Sequence, residues 1–282
     1  MDKDLLMLHA KSFHWASLFL SKDIYKKCSI LYNFCRTLDD IADDSNNIDV
    51  KKKKFLKFKE NFSNKNFENI IIKNMWVLID DEKISRNVVY DLFDGVESDL
   101  VNEVKINSRK ELLVYSYRVA GTVGLMMSKI LKVKDKTSLK GAIDLGIAMQ
   151  LTNIARDVIE DKERNRKYIE GSFSSIQKTI NTADFFYQRS FFAIKAIPLS
   201  SRFSVIVARR VYKKIGDYIL KKKNIENYNN AGKIYVPKVG KIIETILSIG
   251  DFFKLLLVKN TIYSHEDNHS DIKEEIDLDE RI

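Results

Sequence analysis

QLTNIARDVIED, residues 150–161, is the stretch from which the rest of the chain can be read. At about 100° per residue, Gln150, Asn153, Asp157 and Asp161 fall within about 80° of arc, so a single helix would line them up as one polar stripe. Ile147, Leu151, Ile154, Ala155 and Val158 occupy a neighbouring sector, with Leu145 and Met149 on much of what remains. A helix that is apolar nearly all round but keeps an acidic stripe needs a counter-charge, and cations bound in a cavity supply one.

YNFCRTLDDIADD, residues 32–44, supplies the partner. Tyr32, Arg36, Asp39 and Asp43 again share one stripe, about 60° wide. Two helices that each project acids can face one another across a bundle cavity. Oxygen ligands without His or Cys select magnesium over zinc, with manganese as the alternative ion. Arg36 and Arg156 beside the two acid sets add anion-binding capacity. Acids and arginines around magnesium describe a diphosphate site. The competing reading of such acids as a solvated face does not account for Gln150 and Asn153 in register with them.

DDIAD at 39–43 with Tyr32 and Arg36 upstream, followed 111 residues after Asp39 by QLTNIARD and then ED, resembles the squalene and phytoene synthase family of head-to-head prenyl synthases. KSFHWASLFL (11–20), YRVAGTVGLM (117–126), ARRVYKKIG (208–216) and IYVPK (234–238) extend the likeness in the family's order, and it is greatest to bacterial phytoene synthases. The resemblance implies an all-α, single-domain isoprenoid-synthase-like bundle around a central cavity. It implies metal ligation by Asp39, Asp43, Asn153, Asp157 and Asp161, with Tyr32 and Arg36 beside them in catalysis. It also implies substrate contacts from Lys11, Ser12, Phe13, Tyr115, Val119, Ala120, Gly124, Gln150, Asn153, Arg156 and Tyr228. The expected reaction joins two geranylgeranyl diphosphates to phytoene, with farnesyl diphosphate and a squalene or dehydrosqualene product as the alternative. A non-catalytic relative acting as a scaffold would have lost these acids. No glycine-rich nicotinamide fingerprint is evident, so no NADPH is expected.

The 282 residues include two prolines and ten glycines, too little punctuation for an all-β or alternating fold. Cys28 and Cys35 lie two turns apart on one helix, about 10 Å, too far for a disulfide, which fits a reducing, cytoplasmic compartment. Residues 1–10 hold two acids and no long apolar run, so they read as neither a signal peptide nor a span, and His9 is assigned no catalysis.

The chain holds 48 basic and 39 acidic residues; from 264 onward eight acids face only Lys273 and Arg281, leaving a body of 46 basic and 31 acidic residues, net +15. This balance suits phosphorylated substrates or the inner face of an anionic membrane. Nucleic acid is disfavoured because no arginine–aromatic patch is present. Accordingly, residues 1–263 read as the catalytic domain and 264–282 as an acidic, disordered tail. Lysines 51–54, before Phe55, Phe58 and Phe62, mark a solvated helix face, with a membrane-surface contact as the alternative. Downstream carotenoid enzymes are the partners the resemblance implies.

Further expectations concern single segments. Asp91, Asp94, Glu97 and Asp99 lack the family spacing and read as structural. Gly121 and Gly124 mark a close helix approach, a substrate contact or a kink. Arg164, Arg166 and Lys167 are placed to cap a charged mouth. Val239 stands where relatives often carry arginine, so that phosphate contact is either missing or supplied by Lys238 or Lys241.

Overall fold

The structure, a computed structural model, describes residues 11–258 and 269–282, and nearly all of its regular structure is helical. The first described helix is Lys11–Ser17 (α1); His9 and the side chain of Lys11 lie outside the described residues.

Helix α2 (Lys22–Asp43) starts where the Ser21 hydroxyl accepts the Ile24 N–H. It buries Cys28, Leu31, Phe34, Leu38 and Ala42, spaced three or four apart, and leaves the Tyr32–Arg36–Asp39–Asp43 stripe on another face. On α3 (Ile48–Ser63), Phe55, Phe58 and Phe62 pack with Phe34 and Phe93 in one aromatic cluster, with T-shaped and tilted rings 5.2–6.3 Å apart. Lysines 52–54 of this helix stay exposed on the face opposite the aromatic cluster. Next come α4 (Ile70–Glu82) and α5 (Arg86–Glu97), the latter beginning at Ser85 without a side-chain cap bond.

Helix α6 (Arg109–Ser116) runs through a π turn, Tyr117–Gly121, into α7 (Thr122–Ile130). The glycines are explained by packing against α8 (Lys136–Arg156): a Cβ on Gly124 would lie 2.2 Å from the Ala142 carbonyl oxygen, and one on Gly146 equally close to that of Ala120. Helix α8 is the central post, buried along most of its circumference and packed against α7, α10 (Phe173–Ser190) and α11 (Leu199–Leu220). That all-round burial is the reason its sequence shows so little amphipathicity. The remaining helices are α9 (Val158–Glu163), α12 (Ile225–Asn229), α13 (Lys238–Leu257), α14 (Ser270–Lys273) and α15 (Leu278–Arg281). Cys28 and Cys35 are both free.

Two expectations change here. The single helix expected through residues 150–161 is broken at Asp157, which ends α8 and opens α9 with φ −105° and ψ 16°. The Tyr228 hydroxyl, from α12, sits in the break; it donates to the carbonyls of Ala155 (3.0 Å) and Arg156 (2.7 Å) and accepts from the Val158 N–H. A side chain inserted into a helical ladder is a recognised cause of such kinks. The acidic tail, expected to be disordered, is ordered over 269–282. Ile272, Ile276 and Leu278 are buried, His269 Nε2 lies 2.7 Å from Asp144, and Arg281 binds Asp91 through both Nε and Nη2. Its acids face outward onto Arg109, Lys110 and Lys140, which the alternation of Ile272, Ile276 and Leu278 with charged residues permits.

Candidate active site

A cavity of about 700 Å³ lies between α1, α2, the π turn, α7, α8 and α11. One end is lined by Asp39, Asp43, Asp99, Asp157, Asp161 and the cations Arg36, Arg156, Arg164, Arg166 and Lys233; the other by Leu31, Val123, Met127, Leu131, Leu145 and Ile194. This polarity follows from the two stripes. Helix α2 and the α8–α9 pair turn their acids to the same end, while the apolar residues two or three turns back along α2 and α8 form the other wall.

The acids fall into two kinds. Asp43 is neutralised by Arg164 (2.9 Å) and Arg166 (2.8 Å), which flank Asn165 in a left-handed turn with φ 56°. Arg156 grips the adjacent Asp157 with both Nε (2.7 Å) and Nη2 (2.6 Å), and Lys233 approaches it at 3.4 Å while pairing with Glu160. Asp39 and Asp161 have no ion-pair partner among the described residues. Although Asp39 is open to the cavity, the surrounding protein desolvates it and Asp43 repels its charge, pushing its carboxyl up to about 7. Desolvation and then Asp157 push Asp161 to the same value.

Two polar atoms aimed at this end are buried without a hydrogen-bond partner among the described residues: Asn153 Oδ1 and Arg36 Nε. The first accepts and the second donates, so one suits a cation and the other an anion. Asp40, on the far side of Arg36, holds only its Nη2 at 2.6 Å.

Next to the acids, Tyr115 and Tyr168 stack with ring centroids 4.7 Å apart, and their hydroxyls donate to the two oxygens of Asp99 at 2.8 and 2.7 Å. Burial raises both tyrosines and Asp99, and burial likewise pushes Tyr32 up to about 12. Tyr168 and Arg166 are placed by a two-residue parallel pairing of Val104–Lys105 (β1) with Arg166–Lys167 (β2).

The sequence-derived residues Ser12, Phe13, Tyr32, Arg36, Asp39, Asp43, Tyr115, Val119, Ala120, Gly124, Gln150, Asn153, Arg156, Asp157 and Asp161 all line this one cavity. Tyr228 does not; it is 2% exposed and acts on the helix break beneath Asp157. Asp99, set aside as structural from its spacing, faces the cavity, and Lys233 and Tyr235 stand at its mouth where Lys238 or Lys241 had been expected. Lys167 turns out to Glu170. Among the described residues no three His, Cys, Asp or Glu side chains stand close enough to hold a metal ion as they are arranged.

An all-α bundle enclosing a cavity with an acid–arginine end and an oily end defines a class of enzyme that handles charged heads on long apolar chains. Residues 6–172 match the family Squalene/phytoene synthase, and the chain belongs to that family. It is similar to the 15-cis-phytoene synthase of Enterobacter agglomerans, with 28% identity over 239 residues, 73% of this chain and 81% of the relative. It is likewise similar to the phytoene synthase of Cereibacter sphaeroides, 28% over 250 residues, covering 77% and 70%. A dehydrosqualene synthase solved with a ligand shares the fold, with TM-score 0.72 and 24% identity over 89% of this chain and 94% of that one. The protein is a prenyltransferase of the head-to-head condensing kind.

Proposed function

We propose that this enzyme joins two geranylgeranyl diphosphates at their C1 ends into phytoene, through a cyclopropyl diphosphate, with release of both diphosphates. The observation that carries this reading is the two-ended cavity, in which Asp39 and Asp161, without ion-pair partners among the described residues, and the unpartnered Nε of Arg36 lie opposite an apolar wall.

The residues fit a magnesium ion by their chemistry. Asp39, Asp43, Asn153, Asp157 and Asp161 offer only oxygen donors, Asn153 Oδ1 is buried without a partner, and Asp39 and Asp161 are acids short of positive charge. Manganese would suit the same donors. When bound, the ion supplies Lewis-acid neutralisation of the departing diphosphate.

The remaining chemistry rests on the chain's own groups. Arg36 and Lys233 hold the diphosphates by charge, Arg36 through its free Nε, and Gln150 orients a phosphate oxygen. Tyr32, kept protonated by burial, donates to the leaving group. Phe13, 4.8 Å from Tyr212, presents a π face to an allylic cation. The apolar wall excludes the water that would quench that cation before rearrangement and proton loss.

The test is the extracted hydrocarbon from purified protein given magnesium and either geranylgeranyl or farnesyl diphosphate, with and without NADPH. Phytoene from the twenty-carbon substrate without NADPH is the expected result. A thirty-carbon product from farnesyl diphosphate alone would move the assignment to dehydrosqualene or squalene synthesis. Absence of any hydrocarbon would leave the scaffold reading in its place.

A further inference from the structure

Helix α13 is inside out. Its polar residues face the protein: Arg210 binds Glu244 at 2.9 Å and Asp251 at 2.8 Å, Ser248 is fully buried, and Thr245 accepts from the Trp15 indole at 2.9 Å. Its apolar residues face away, with Val239 67%, Ile246 60%, Phe253 57% and Leu257 82% exposed among the described residues. Ile243 and Leu247 widen this face to about half of the helix circumference over a length of about 30 Å. An exposed apolar stripe of this extent marks a contact surface.

The patch does not end with α13. Leu18 and Phe19, just past α1, are exposed as well, and Phe19 packs edge-on against Phe203, which packs in turn on Phe252 of α13. Immediately beside them Ala16, Ser17 and Leu20 line the cavity, so the oily outer surface meets the oily inner one across a single segment of chain.

We propose that α13, together with the Leu18–Phe19 corner, is the surface on which this protein lies against an anionic lipid bilayer. The face is made of Val, Ile, Leu and Phe, with none of the Trp, Tyr or Arg that anchor protein–protein interfaces. It carries no acid, and its only charged residues are Lys238 and Lys254, one on each margin at opposite ends, where they meet headgroup phosphates while the aliphatic side chains enter the acyl boundary. The buried Glu244 and half-buried Asp251, both held by Arg210, keep α13 on the protein, and no helix among the described residues is long and apolar enough to cross a membrane, so the helix lies flat. The use of this surface, passing long-chain substrates and hydrocarbon product between bilayer and cavity, rests on the function proposed above; the surface itself does not.

The test is flotation of the full-length protein, without substrate, on vesicles of phosphatidylcholine alone or with about a third phosphatidylglycerol. The wild type should float with the mixed vesicles, and the exposed-face variant Ile246→Glu/Phe253→Glu should lose about tenfold or more in partitioning. The control variant Leu56→Glu/Val77→Glu changes charge equally at exposed apolar positions on α3 and α4, and should float like wild type. Circular dichroism that matches wild type shows that each variant is folded. Absence of wild-type flotation, or equal loss in both variants, overturns the proposal. It is also overturned if light scattering shows a wild-type dimer that Ile246→Glu/Phe253→Glu dissociates, because the face would then be covered by a second copy.

Discussion

Replacing Tyr228 with Phe removes one oxygen and should disturb the site from beneath. The hydroxyl serves three backbone groups at the α8–α9 break, the carbonyls of Ala155 and Arg156 and the N–H of Val158. Each buried group left without a partner costs about 1–3 kcal/mol, and partial closure of the break would recover some of it, so a net loss of about 2–3 kcal/mol is expected. For a chain of this size that lowers Tm by about 4–10 °C. Closing the break also rotates Asp157 and everything beyond it, including Asp161, and a misplacement near 1 Å costs about a hundredfold in rate. Scanning calorimetry and steady-state kinetics on Y228F read the two effects together. An unchanged Tm with a rise confined to KM would refute this reasoning and give Tyr228 the direct diphosphate contact that the family resemblance implies.

Other perturbations follow from the same geometry. Asp39→Ala and Asp157→Ala should each lower kcat by about a hundredfold or more while leaving the circular dichroism spectrum unchanged, since both act on developing charge. Gly146→Ala places a methyl 2.2 Å from the Ala120 oxygen and 2.7 Å from its carbon, so the packing of the π turn on α8 must open at a cost of about 1–3 kcal/mol, read as a lower urea midpoint. Arg281→Ala strands the buried Asp91, still bound by the Tyr117 hydroxyl at 2.9 Å, and should cost about 3 kcal/mol by the same measurement. Burial alone would raise the Glu82 carboxyl, but hydrogen bonds from Lys132 and Lys27 outweigh it and hold it below its usual value. Its contribution is therefore present above the unfolded carboxylate range and is lost as pH falls through the lowered folded value, so Glu82→Gln should flatten the acid limb of a Tm–pH curve.

The parts legible in the sequence are those written in local periodicity. The acid stripe of α2, the polar register of Gln150, Asn153 and Asp157, and the long helices between sparse prolines all follow from residues within a few turns of one another. What escaped depends on distant partners. The break at Asp157 is made by a tyrosine 71 residues away, and nothing in QLTNIARDVIED itself carries it. Arg166, Tyr168 and Asp99 meet through strands of two residues, too short to leave a pattern. The charge of the tail masks the sign that it docks, Ile272, Ile276 and Leu278 at spacings of four and two. Lys233 lies in a turn-rich segment whose path no periodicity fixes.

The central claim, that α2 and α8–α9 form one metal–diphosphate centre, is tested most directly by Mn²⁺ binding followed by electron paramagnetic resonance, with and without a non-hydrolysable geranylgeranyl diphosphate analogue. The arrangement predicts tight Mn²⁺ uptake only when the analogue is present, because among the described residues the acids alone do not converge on an ion, and loss of that uptake in both Asp39→Asn and Asp161→Asn. Uptake that is independent of the analogue, or that survives both substitutions, would contradict it.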